Sequence, residues 1–235
     1  MNEPDRDGKP SPIKPPAIWS VLVGLVFCAV VVIAVVNTVS GSDGGVLGSS
    51  DESGVEVPDF ALADARGPLT GDANLAQTAC GTSERPCPAD AVQTPACDVQ
   101  LAGSIVSCDL FRRPTVISFW FTRGGECEAQ QDVFERVYRS LESRGVNFLA
   151  VNVRDDRATV RRLIRQRNWT HPVGLDRDGA LSNLMRVGGC PTLVFVRPGG
   201  AIEKVALGDQ SAESLSREVE ALLAASDSSE DPRGG

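Results

Sequence analysis

Residues 114–121 (PTVISFWF) form an unbroken run of β-branched and aromatic side chains with no alternation of polar and apolar positions. A strand of this kind cannot face water on either side and belongs in the middle of a sheet covered on both faces. The following segment agrees with that placement. Over residues 126–143 apolar side chains recur at Val133, Phe134, Val137, Tyr138 and Leu141, the three-to-four spacing of a helix with one apolar face. A second apolar run, residues 146–153 (VNFLAVNV), predicts another buried strand, and residues 158–167 a basic helix with Val160, Leu163 and Ile164 as its stripe. A short strand around residues 171–176 and a small helix over 180–185 come next. Residues 192–197 and 201–207 then read as a hairpin about Pro198-Gly199-Gly200, and a last helix over 212–225 turns Leu215, Val219, Leu222 and Leu223 inward. This β-α-β-α-β-β-α order predicts an α/β fold: one mixed sheet, parallel through its crossovers, with helices on both faces.

Residues 17–39 carry no charge over about 23 positions, which at roughly 1.5 Å per helical residue is enough to cross a bilayer core. The run is too long for the apolar part of a cleavable signal peptide, so a membrane anchor is expected. Arg6, Lys9 and Lys14 precede it, and no Lys or Arg follows until Arg66. That asymmetry predicts a cytoplasmic N-terminus and an extracytoplasmic domain on a single-pass protein of the cell membrane. Residues 1–16 read as a disordered cytoplasmic tail, 40–54 as a flexible Gly/Ser/Asp linker, 55–225 as the folded domain and 226–235 as a disordered tail. Outside the membrane, cysteines are expected to pair. Net charge is −8, with no basic stripe to attract nucleic acid.

Four blocks carry a family resemblance. Val57-Pro58-Asp59-Phe60-Ala61-Leu62 is similar to an opening strand and Asp109-Leu110-Phe111-Arg112-Arg113-Pro114 to the approach to the central strand. Phe119-Trp120-Phe121-Thr122 then enters a redox helix, and residues 172–200 give a strand, turn, helix, proline loop and hairpin in order. Together they resemble the thioredoxin-like superfamily, in particular the membrane-anchored extracytoplasmic thiol–disulfide reductases of the TlpA and AhpC/TSA kind. The resemblance implies a thioredoxin-like mixed sheet, thiol–disulfide chemistry on a protein client or redox partner, and no cofactor or metal. It covers residues 55–225 apart from an insertion at about 70–108. That insertion holds Cys80, Cys87, Cys97 and Cys108, which allow three connectivities. Pairing Cys80 with Cys87 and Cys97 with Cys108 is favoured, because residues 98–107 read as a small hairpin turning at Ala102-Gly103. A zinc site is disfavoured: the spacing lacks Cys-x-x-Cys pairs and no histidine is near.

The resemblance also exposes a departure. Where the family has Cys-x-x-Cys, this chain has Gly124-Gly125-Glu126-Cys127, so the attacking thiol of the ordinary mechanism is missing. Pro191 takes the place of the family's cis-proline, and the residue before it is Cys190, a second sulfur expected to face the site. Cys127 and Cys190 can be a rewired redox pair, a permanent bridge, or two inert thiols. Glu126 and Glu128 disfavour a thiolate at Cys127, while Arg123 and the helix N-terminus favour one. Ser118 stands at the strand position where thioredoxins often carry a buried acid. A peroxiredoxin-like reading makes Cys127 peroxidatic, although Gly124 replaces that family's threonine. A copper-delivery reading needs a histidine, and the only one, His171, is expected to close a strand start. A redox-inactive domain that keeps the groove for a protein client is the remaining alternative.

Overall fold

The computed structural model describes residues 27–28, 55–69, 95–123 and 127–229. Phe27 and Cys28, inside the expected membrane span, are helical and exposed. The rest of that span, the two N-terminal segments flanking it, Cys80, Cys87, Gly124 and residues 230–235 lie outside the described residues. Among the described residues no helix is long and apolar enough to cross a membrane.

Seven strands make one mixed sheet in the order β2-β1-β5-β4-β3-β6-β7. They are β1 (Ala61–Asp64), β2 (Ser104–Val106), β3 (Thr115–Trp120), β4 (Asn147–Val153), β5 (Val173–Asp176), β6 (Thr192–Val196) and β7 (Ile202–Leu207). β3 lies inside the sheet next to the middle strand β4, parallel to β4 with Ser118 opposite Ala150 and antiparallel to β6 with Ser118 opposite Leu193. Every residue of β3 is buried, as its uninterrupted apolar sequence requires. β4 and β5 are parallel, while β1, β2 and β7 pair antiparallel at the flanks.

The helices are α1 (Ser107–Leu110), α2 (Cys127–Leu141), α3 (Arg157–Arg167), α4 (Ala180–Leu184) and α5 (Ala212–Ser229). Alternate residues of the central strands divide the core in two. Val116, Trp120, Phe148 and Phe195 meet Phe134, Val137, Ile164, Leu215 and Val219 from α2, α3 and α5. Ile117, Phe119, Leu149 and Val194 meet Phe60, Phe111 and Leu181 on the other face. At roughly 1.5–3 kcal/mol per large apolar side chain removed from water, these layers are the main source of stability. α3 starts where Asp156 accepts the Thr159 amide at 2.9 Å and stops at left-handed Asn168, φ 54°. Gly174 in β5 lets β1 pack close, since a Cβ there would lie 2.9 Å from Leu62 Cδ1.

Three expectations need correction. Residues 98–107 do not pair with one another. Residues 96–98 form a 3₁₀ turn, and β2 pairs instead with β1, Ala61 opposite Val106. A local hairpin has fewer apolar contacts to gain than the small core of Ala61, Ala96, Val99 and Val106. The opening strand is Ala61–Asp64, later than residues 57–62. α5 runs to Ser229, past the expected boundary at 225, with Ser226 buried and its hydroxyl donated to the Leu222 carbonyl at 2.8 Å.

The loop after β1 is held by arginines. Arg161 donates to the carbonyls of Ala65 (2.6 Å), Arg66 (3.2 Å) and Gly67 (2.7 Å), and Arg157 to those of Asp64, Ala65 and Gly67. Arg66 reaches the carbonyls of Trp169 (2.7 Å) and His171 (3.0 Å).

Candidate active site

Cys127 opens α2, and Cys190 ends the loop before β6. Their Cα atoms are 5.8 Å apart and their sulfurs are joined in a disulfide across 63 residues of sequence. The separation lies within the usual range for such a bond. Cys127 is 1% exposed, whereas Cys190 is half-buried and packs at the rim of the core. The Cys190–Pro191 peptide is cis. The loop is fixed from two sides: Gly208 N–H donates to the Pro191 carbonyl at 3.0 Å, and Thr192 Oγ1 to the Gly189 carbonyl at 2.8 Å. A Cβ at Gly188 or Gly189 would meet nothing within 4 Å, so the loop borders open space.

The polar groups around Cys127 are largely committed to one another. Gln131, one turn along α2, donates to Ser118 Oγ at 2.8 Å, so the strand position compared with a buried acid holds a neutral hydroxyl–amide pair. Gln130 Oε1 accepts the Gln210 amide at 2.9 Å, tying α2 to the segment before α5. Gln130 Nε2, Gln131 Oε1 and Trp120 Nε1 are buried without a hydrogen-bond partner. Arg123 donates to the Arg154 and Val153 carbonyls at 3.0 and 3.4 Å, and Glu128 pairs with Arg167 at 3.2 Å. Glu128 thus has a cationic partner, while the Arg123 guanidinium is turned to backbone carbonyls.

Two polar anchors near this helix escaped the sequence reading. Buried Asp155 accepts Thr122 N–H (2.8 Å), Thr122 Oγ1 (2.7 Å) and Asn152 Nδ2 (2.8 Å), fastening the chain as it leaves β3. Farther along α2, Glu135 Oε2 accepts Thr170 N–H (2.8 Å), His171 N–H (3.0 Å) and His171 Nδ1 (2.7 Å), and Oε1 accepts Thr170 Oγ1 (2.7 Å) and Arg139 Nε. Burial alone would raise the Glu135 pKa, but the hydrogen bonds from His171 and Thr170 outweigh it and hold the carboxyl well below the usual range. Burial lowers the His171 pKa despite the opposing carboxylate, so the ring is neutral. A carboxylate only accepts, so the ring proton sits on Nδ1 and Nε2 is left buried without a partner. Gln131, Glu135 and Tyr138 share one line of α2 beside its apolar stripe. A carboxylate on that line was the signal available.

His171 also stacks edge-on against Phe134 (5.2 Å between centroids) and Tyr138 (6.2 Å). It therefore does not join the two sulfurs as a metal ligand; among the described residues the one cluster of three such groups is Asp59, Cys97 and Cys108. Cys97 and Cys108 form a second disulfide, Cα–Cα 5.6 Å, the pairing expected from the insertion.

A mixed sheet with helices on both faces, and a cis-proline loop facing a helix that begins at a cysteine, define a thioredoxin-like α/β protein. The same fold occurs in the thioredoxin domain of a thiol-disulfide oxidoreductase from Bacteroides vulgatus (TM-score 0.51, 16% identity, 74% of this chain and 99% of that one). It occurs also in a thiol:disulfide interchange protein of the thioredoxin family from Chlorobium tepidum TLS (TM-score 0.50, 16% identity, 72% and 95%). Residues 88–205, half of the chain, match the AhpC/TSA family model, and the protein belongs to that family. Its relatives include the thiol-disulfide oxidoreductase ResA of Oceanobacillus iheyensis, 28% identical over 107 residues (46% of this chain, 56% of the relative). ResA of Bacillus subtilis is 28% identical over 100 residues (43% and 56%). The chain thus spans a little over half the length of these curated relatives.

Proposed function

We propose that this protein is a membrane-anchored, extracytoplasmic thiol–disulfide oxidoreductase whose working pair is Cys127 and Cys190, with Pro191 presenting Cys190 to a protein client. The observation that carries it is the bond between a helix-start cysteine and the cysteine before a cis-proline, in a loop bordering open space. The chemistry runs through the accessible sulfur. A client thiolate attacks Cys190 Sγ, the bridge breaks, and Cys127 leaves as a thiolate stabilised by the N-terminus of α2. The client's second thiolate then attacks the mixed disulfide and releases Cys190, so the client gains a disulfide and the pair takes up its two electrons. In reverse, Cys190 attacks a client disulfide and Cys127 resolves it. Gly124, at the position of the family's first cysteine, leaves Cys190 as the attacking group. The anchor rests on the charge-free residues 17–39 and their basic N-terminal flank.

The near-complete burial of Cys127 and the neutral Ser118–Gln131 pair favour a second reading, a redox-inactive domain that binds a client through the same groove. Thiol mapping by mass spectrometry on native full-length protein separates the two. The redox reading expects the Cys127–Cys190 peptide to be linked, to open under a mild dithiol and to close again on reoxidation. A bond that opens only when the protein unfolds rejects it. Peroxide consumption by Cys127→Ser equal to that of the parent would dismiss a peroxidatic role.

A further inference from the structure

We propose that Asp59, Cys97 and Cys108 form a reduction-gated site for a thiophilic divalent cation of the zinc class. The Asp59 carboxylate oxygen and the two sulfurs all lie within 4.8 Å of one another. Each of the three comes from a different segment, and the fold brings all of them to the same corner. Ser107 N–H donates to the Phe60 carbonyl at 2.9 Å while Phe60 N–H donates to Ser107 Oγ at 3.0 Å, a reciprocal clasp continuing the β1–β2 pairing. That clasp sets Asp59 Oδ1 at 3.7 Å from Cys108 Sγ and 3.4 Å from Ser107 Oγ. Cys97 arrives on the 3₁₀ turn, whose neighbours Ala96 and Val99 are buried against Ala61 and Val106. The ligand atoms are therefore placed by sheet register and a small core.

Their chemistry selects the cation. A divalent ion deprotonates the thiols that coordinate it, and its charge offsets that of the thiolates and the carboxylate. Among the described residues no Lys or Arg side chain forms an ion pair with Asp59, so its charge is available. Two thiolates with one carboxylate suit zinc, and three protein ligands leave the fourth tetrahedral position open. Cys97 is exposed, so that position faces solvent. The cysteine spacing concealed the site because its third ligand belongs to another segment of chain.

While bridged, the sulfurs are bonded to each other and hold no ion. A dithiol reductant opens the site: its thiolate attacks exposed Cys97 Sγ, the Cys97–Cys108 bond breaks, and Cys108 leaves as a thiolate that takes a proton from solvent. The reductant's second thiolate then displaces Cys97, which is protonated in turn. The reductant departs as a disulfide, having lost two electrons, and the protein gains two thiols. Binding the cation releases both thiol protons to solvent. This site stands apart from Cys127 and Cys190 and exists whichever way that bridge behaves.

Cobalt(II) serves as the probe, titrated into full-length protein before and after dithiol reduction and removal of the reductant, with absorbance as readout. Reduced parent protein is expected to give a thiolate-to-cobalt charge-transfer band, and oxidised protein none. Because other cysteines can contribute, the variants decide. Cys97→Ser and Cys108→Ser should each lose the larger part of the band. Asp59→Asn, which preserves shape, should bind at least about tenfold more weakly, since even an outer-shell partner's loss costs that much. Circular dichroism checks that each variant stays folded. An undiminished band in either serine variant, equal affinity in Asp59→Asn, or equal binding by oxidised and reduced parent would overturn the site.

Discussion

The first turn of α2 and its middle do opposite work. At the first turn Cys127 is bonded to a distant sulfur, and the amides of Gln130 and Gln131 keep buried groups unpaired. In the middle Glu135 is saturated with donors from Thr170, His171 and Arg139. One end leaves polar capacity unused beside a bond that exchange chemistry would break; the other spends a full charge on fixing the helix to the strand β5 approach. In the proposed redox role, the helix that holds Cys127 through a change of bonding is clamped away from the sulfur itself.

Breaking the clamp should cost most. Glu135→Ala leaves the Thr170 and His171 amides and the His171 ring without their acceptor, and at about 1 to 3 kcal/mol for each buried donor left unsatisfied chemical denaturation should read a loss of about 3 to 5 kcal/mol. Replacing both Cys127 and Cys190 with serine should cost no more than that, about 4 kcal/mol, from the freed 63-residue loop in the unfolded chain. Acid should weaken the middle of α2 in two stages. His171 and Glu135 both have folded pKa values below their ordinary 6.5 and 4.5, so the unfolded chain takes up their protons first. Unfolding free energy should hold its full contribution above pH 6.5, begin to fall below it, and fall more steeply below 4.5. Each proton contributes a slope of about 1.4 kcal/mol per pH unit. In Glu135→Gln the steeper acid stage should vanish. At the first turn, removing both partners of one hydrogen bond, Ser118→Ala with Gln131→Leu, should change stability by less than about 1 kcal/mol. A loss there matching that of Glu135→Ala would erase the contrast between the two ends.

The regular elements were legible because each is written in one stretch of chain. The apolar run at 114–121 became buried β3, and the stripe of Val133, Phe134, Val137 and Leu141 became the inner face of α2. Less was legible where a residue's partner lies far away. Residues 98–107 look like a hairpin locally, yet β2 gains more by pairing with β1. Glu135 finds its donors only when the fold brings residues 170 and 171 to it, and Asp59, part of the block that resembles an opening strand, comes to lie beside Cys108 only in the folded chain. The polar C-terminal residues suggested an early stop, but Ser226 satisfies its hydroxyl within α5 and continues the helix.

The sequence distance between the two sulfurs of the Cys127–Cys190 bridge has a consequence for how the chain is made. Between them lie α2, β4, α3, β5 and α4, with both parallel crossovers. A chain appearing from its N-terminus exposes Cys127 long before Cys190 arrives, whereas Cys97 meets Cys108 after only 11 residues. The short bridge can close on an unfinished chain. The long one cannot close until everything from α2 to α4 has been made, so it ties together the parallel half of the sheet, while β6, β7 and α5 still follow it in the chain.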